Sequence, residues 1–223
     1  MEKALFLKEW LKTRYVFWLC MIAGVAMAIY VYMNLSRICV LKGADHVYEI
    51  MLLKDQTFAN ILMYFPLIAG LATGAAQILP EMLQNRLKLT LHLPVSTYKS
   101  IGWMLGTGYI ELILIFLLQV LVITFTYSNI VAPELVRRVL FTMIPWYTAG
   151  FLTYCFTAAI CFEGTLFRRI ILALVGIVTD VVLFLCAAPE GYNPSFWLLA
   201  LLILLLPLLS FNSVFRFKEG RQD

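Results

Sequence analysis

Few side chains in this 223-residue chain are of a type that could do chemistry, and their spacing rules out most of the familiar ways of doing it. The only histidines, His46 and His92, are separated by a long apolar run, and no His-Glu-x-x-His is present. A Zn site built on one helix face needs two ligands a turn apart, so no metal ligands are assigned. No Gly-x-x-x-x-Gly-Lys-Ser/Thr occurs, so the chain cannot hold ATP phosphates in the P-loop manner. No Gly-x-Ser-x-Gly elbow occurs either. The cysteines are Cys20, Cys39, Cys155, Cys161 and Cys186, with no Cys-x-x-Cys among them, and most sit in apolar runs as small hydrophobes. Catalytic residues are therefore none.

The stretch with the densest functional character is 81–99, which runs from Glu81 to Lys99 between two long apolar segments. It holds Arg86, Lys88, Lys99 and His92. Leu83, Leu87 and Leu91 fall four apart, which gives a helix one apolar face. Leu87, Leu89, Leu91 and Leu93 also alternate with polar residues, the period of a strand. A lone strand beside a membrane has no partner for its backbone groups, so a helix is expected. Pro94 restricts Leu93 and ends that helix, and Ser96 is placed to cap the next. The plain alternative is a solvated loop between two spans; the sharper one is a short helix that docks onto something in the cytosol.

The elements that must carry these residues follow from composition. The chain is 62% hydrophobic and 13% charged, with a mean hydropathy of +0.89. A soluble domain is closer to a quarter charged, so this is an integral membrane protein. The net charge of +4 is small, and the basic residues flank apolar runs instead of forming one patch, which sets nucleic acid aside as a partner. Six runs reach the ~20 residues a span needs: 15–34, 57–79, 102–126, 140–162, 170–188 and 195–214. Residues 1–14 carry Lys3, Lys8, Lys12 and Arg14, with Leu7, Trp10 and Leu11 on one helical face, and read as an interfacial amphipathic helix. A cleaved signal peptide fits less well, because the apolar run continues through Ile29 to Met33. Val47, Ile50 and Met51 are spaced for a short helix between the first two spans. Another is expected at Pro133–Arg138, and a turn at Pro189–Pro194. Pro66, Pro145 and Pro207 fall inside spans as candidate kinks. No repeat, low-complexity tract or soluble domain is evident, so residues 1–223 are one transmembrane domain.

Counting Lys and Arg places twelve on one side of the membrane and five on the other. The positive-inside rule puts both termini and 81–99 in the cytosol. His46 and His92 then lie on opposite sides. Cys39 and Cys186 share the outer side, where a disulfide is conceivable but not demanded.

Two acids fall inside the spans. Glu111 and Asp180 each sit roughly 13–15 Å deep at 1.5 Å per residue, near the middle of a ~30 Å core. An acid there costs on the order of 2.5–3.5 kcal/mol on insertion scales. Each therefore needs a proton, a hydroxyl such as Thr107 or Thr179, or a watery cavity. Both are candidate pathway or interhelical residues, and Gly176, one turn from Asp180, allows close helix approach.

In the order of these features the chain resembles the membrane subunit of type-two ABC transporters, the permease class that mostly exports. The likeness rests on Phe6-Leu7-Lys8-Glu9-Trp10-Leu11-Lys12 at the start, six spans with both termini inside, and Glu81 after the second span. It continues in a leucine-rich segment ending Leu93-Pro94-Val95-Ser96, followed by Lys99. Two features depart from the family pattern. Gln84-Asn85-Arg86 stands where Gly-Thr is usual, and the loop between the fifth and sixth spans is short. The resemblance implies an all-α fold in which 81–99 contains the coupling helix, seated in a groove of a separate ABC ATPase subunit. Glu81, Arg86, Leu87, Lys88, Leu89, Leu91, Leu93, Pro94 and Val95 would form that contact. It further implies a second permease chain in a homo- or heterodimer, a cell-membrane location such as the bacterial inner membrane, and no cofactor in this chain, ATP and Mg being bound by the partner. The chain by itself would be no enzyme. A secondary transporter or a non-transporting scaffold or assembly factor is the alternative; the first class usually carries internal repeats.

Overall fold

A computed structural model describes residues 2–83, 96–186 and 188–218. The architecture is all-helical, with no strand among the described residues. In chain order the helices are α1 (Glu2–Lys42), α2 (Ala44–Leu53), α3 (Phe65–Leu83), α4 (Thr97–Ser128), α5 (Pro133–Phe162), α6 (Leu166–Phe184), α7 (Phe196–Leu205) and α8 (Pro207–Lys218). Single 3-10 turns precede α3 and α7, at Asn60–Leu62 and Asn193–Ser195. Among the described residues five segments are long and apolar enough to cross a membrane: Leu5–Lys42, Asn60–Leu83, Tyr98–Ser128, Pro133–Phe162 and Asn193–Arg216. The fifth expected span, 170–188, falls on α6, which has 19 residues but carries Arg168, Arg169 and Asp180 and is not among those five.

The exterior is apolar. Tyr15, Trp18, Leu19 and Ile22 of α1, Ile170, Leu174, Ile177 and Val178 of α6, and Trp197, Leu201 and Leu204 of α7 are all exposed. In water such a surface would drive association, whereas in lipid it is the natural boundary. Helix is the secondary structure that satisfies every backbone group within one segment of chain, which lipid demands.

Several expected boundaries move. Residues 2–14 are not a separate interfacial helix; they are continuous with the first span in one 41-residue α1. The cause is local: no Gly or Pro occurs before Gly24, and the helix ends where Gly43 takes φ +85°. At 1.5 Å per residue α1 is about 60 Å long, twice a ~30 Å core, so it must project beyond the membrane. Pro133–Arg138 is likewise not a short helix of its own but the start of α5, with Pro133 in the first turn. Pro66 is the second residue of α3 and leaves that helix uninterrupted, while Pro80 lies inside it. Pro207 does more than kink the last span: it begins a new helix, α8, after α7 ends at Leu205. The short helix foreseen around Val47 and Met51 is α2, with both residues buried. The expected turn at 189–194 leads into the 3-10 turn before α7.

Helix α5 is the most buried of the five apolar segments and packs against α3, α4, α6, α7 and α8. It approaches α3 through backbone contact. Gly70 lies directly against the Gly150 carbonyl, and a Cβ added to Gly150 would sit 2.6 Å from the Pro66 carbonyl oxygen. Gly74, one turn on, faces Thr157. Small residues at this spacing let helices approach where lipid supplies no hydrophobic drive. Helix α1 packs on α4 and, through Gly24 against the Phe65 ring, on α3.

Candidate functional site

Three helices each present a polar pair four residues apart: Glu9 and Thr13 on α1, Gln77 and Glu81 on α3, Thr107 and Glu111 on α4. Four residues is about one helical turn, so each pair shares a face. The fold turns the three faces toward one another, and all six side chains are buried. Unpaired, each would carry a desolvation cost, so their partners explain why they are tolerated.

Gln77 is the hub. Its amide nitrogen donates toward the Met104 carbonyl (2.5 Å), Thr107 Oγ1 (3.0 Å) and Glu9 Oε2 (3.2 Å). Its amide oxygen accepts from the Tyr154 hydroxyl (2.7 Å). One fully buried side chain thus ties α1, α3, α4 and α5 together. Tyr154 reaches it because Gly108 has no side chain; a Cβ there would lie 2.6 Å from Tyr154 Cε2.

Glu81 is only 1% exposed and pairs with the N-terminal helix: Lys8 Nζ lies 2.9 Å from its carboxylate and Lys12 Nζ also donates to it. Lys12 bridges to Glu9 Oε1 at 2.7 Å. Two ammoniums thus face two carboxylates, which is the arrangement that makes buried charge bearable. Glu111 is the third carboxyl. The Thr13 hydroxyl contacts both Glu111 Oε1 and, at 3.2 Å, the Glu9 carbonyl. The one hydroxyl hydrogen is shared between these two acceptors. The second Glu111 oxygen is buried without a partner among the described residues.

The partners expected for Glu111 and Asp180 are therefore corrected. Thr107 donates to the Met104 carbonyl at 2.7 Å, and Thr13 takes its place beside Glu111. Thr179 donates to the Gly176 carbonyl, and Thr153 of α5 contacts Asp180 at 2.9 Å. Asp180 sits on α6, outside the junction, where Gly176 packs against Phe156. Cys39 and Cys186 are free thiols. Ser96 precedes α4 as expected, but its hydroxyl makes no capping bond. Arg86, Leu87, Lys88, Leu89, Leu91, Leu93, Pro94 and Val95 lie outside the described residues.

The structure thus joins Glu81 and Glu111, which the sequence had left apart, through Glu9, Lys12 and Thr13. Gln77, Thr107 and Tyr154 complete the group. The signal that could have found it is the recurrent four-residue polar pair within apolar runs. The arrangement is a charged clamp between helices.

No family model, curated protein or solved structure matches the chain.

Proposed function

We propose that the chain is the transmembrane permease subunit of an ATP-driven ABC transporter that exports its substrate. In this reading α6 is a sixth span, both termini are cytosolic, and 81–99 is the segment that couples to a separate ATPase. The observation that carries the reading is the position of Glu81. It lies in the last turn of α3, six residues before Leu87 opens the leucine-rich segment, and is ion-paired to two lysines of α1. A push on that segment would therefore reach α1 through ion pairs, and α4 and α5 through Gln77. Buried, hydrogen-bonded junctions of this kind move as a unit instead of deforming. The missing P-loop fits a chain that relies on a partner for ATP and Mg. Two such chains and two ATPase subunits would make a complete pathway working by alternating access.

Co-purification with an ATPase subunit tests this. Leu89→Asp with Leu93→Asp should abolish the association while the chain still inserts. Normal ATPase recovery with the double variant would place the docking site elsewhere, and absence of any ATPase partner for the wild-type chain would defeat the reading.

A further inference from the structure

Away from the junction, α6 leans on α5 and leaves a groove between itself and α3. The cavity is about 410 Å³, within the range of sites for drug-sized molecules. Its walls are apolar, formed by Leu67 and Leu71 of α3, Phe156 and Ile160 of α5, and Ala173 and Ile177 of α6. Tyr64 and Phe184 close one end, their ring centroids 5.4 Å apart. Among the described residues Asp180 is the one acid that lines this apolar space, and no Lys, Arg or His does.

Three hydroxyls line the groove, those of Tyr64, Thr153 and Thr157. Thr157 donates to the Thr153 carbonyl at 2.7 Å. Thr153 has one hydrogen for two acceptors, the Ala149 carbonyl at 2.8 Å and Asp180 Oδ2 at 2.9 Å. Asp180 Oδ1 has no partner among the described residues. No hydroxyl of the lining is bonded to Oδ1, which leaves the carboxyl open to a donor next to a space that accepts an apolar body.

We propose that the groove between α3, α5 and α6 binds a lipophilic amine, its apolar body against Leu67, Leu71 and Phe156 and its ammonium on Asp180. An ammonium supplies both the missing hydrogen and the opposite charge. A bare acyl chain would fill the walls but leave the carboxyl as it is. The proposal does not rest on the transport reading, because it concerns binding in the absence of ATP.

The test uses the purified full chain in nanodiscs of zwitterionic lipid, with binding to empty nanodiscs subtracted. The probes are the arylalkylamine propranolol and its N-acetyl amide, which keeps the apolar body and loses the charge. Saturable binding of one amine per chain is expected, at least about tenfold tighter than the amide, the usual scale for a hydrogen bond to a charged group. Asp180→Asn should bring the amine down to the level of the amide, and Ala173→Phe should weaken both by filling the groove. Equal binding of amine and amide would make this an acyl-chain groove and overturn the proposal, as would unchanged amine binding by Asp180→Asn. Should Asp180→Asn fail to give a monodisperse protein, Ala173→Phe decides: an amine preference that survives it overturns the assignment, and its loss supports it.

Discussion

At the scale of single residues, a buried polar group sits within an otherwise apolar interior, and the exterior is apolar as well. Gln77 has the most to lose. Gln77→Leu would strip partners from Tyr154, Thr107 and Glu9 together, and each stranded buried group costs about 1–3 kcal/mol. We expect Gln77→Leu to lower the detergent melting temperature more than any substitution of an exposed leucine, such as Leu19→Gln. Glu81→Ala removes the anion facing Lys8 and Lys12, and breaking a buried pair from one side costs about 3–5 kcal/mol. Lys8 is about a third exposed, so Lys8→Ala should cost much less. A double-mutant cycle between Lys12→Ala and Glu81→Ala, read by thermal unfolding, should give a clear coupling energy; additivity would mean that the pair contributes nothing. Glu111→Gln keeps an acceptor for the Thr13 hydroxyl and should preserve stability, whereas Glu111→Leu leaves a gap in the polar group and should not. In a working transporter Glu111→Gln is further expected to keep assembly and change substrate-stimulated ATP hydrolysis.

Between elements, close approach depends on missing side chains. Helices α3 and α5 touch through Gly70 and Gly150, and no rotamer can relieve a clash with a backbone carbonyl. Gly150→Leu should therefore abolish recovery of folded protein. Gly106 is the control: an added Cβ there meets nothing within 4 Å, so Gly106→Ala should be neutral or stabilise α4 by about 0.5–1 kcal/mol through helix propensity. Helix α6 is joined to α5 by Gly176 against Phe156 and by Thr153 with Asp180. Asp180→Leu should lower the yield of folded protein, measured by gel filtration, and normal yield would mean that α6 is held by its apolar contacts alone.

For the whole molecule the test is topology. A single cysteine introduced within 86–99 should be labelled from the cytosolic side alone, and one at Asp45 only from outside. The exposed Cys186 has to be replaced first, since it would react on its own account. Labelling of both positions from one face would remove the six-span arrangement and the permease reading with it. The 41-residue α1 belongs to this scale too. Because it runs unbroken from the ion pairs at Lys8 and Lys12 to Gly43, a tilt imposed at one end is carried to the other without a hinge.

Composition and local pattern were sufficient for what depends on neighbours in the chain. The apolar runs determine that the molecule is helical and membrane-bound, because lipid leaves the backbone no other open option. Val47 and Met51 mark α2 by their spacing, and Pro133 marks the start of α5 by its fixed φ and missing N–H. The same logic misjudged the N-terminus: charge suggested a boundary near residue 14, but a helix stops only where the backbone is broken, and Gly43 is that place. Partners across helices were decided by the tertiary structure. A period of 3.6 residues says that Thr107 shares a face with Glu111, not that α1 will lie closer and offer Thr13. It shows Gln77 on a helix face, not that four helices meet there. Those choices depend on how near the helices come, and that is set by Gly70 against Gly150 and Gly108 against Tyr154, contacts between residues tens of positions apart.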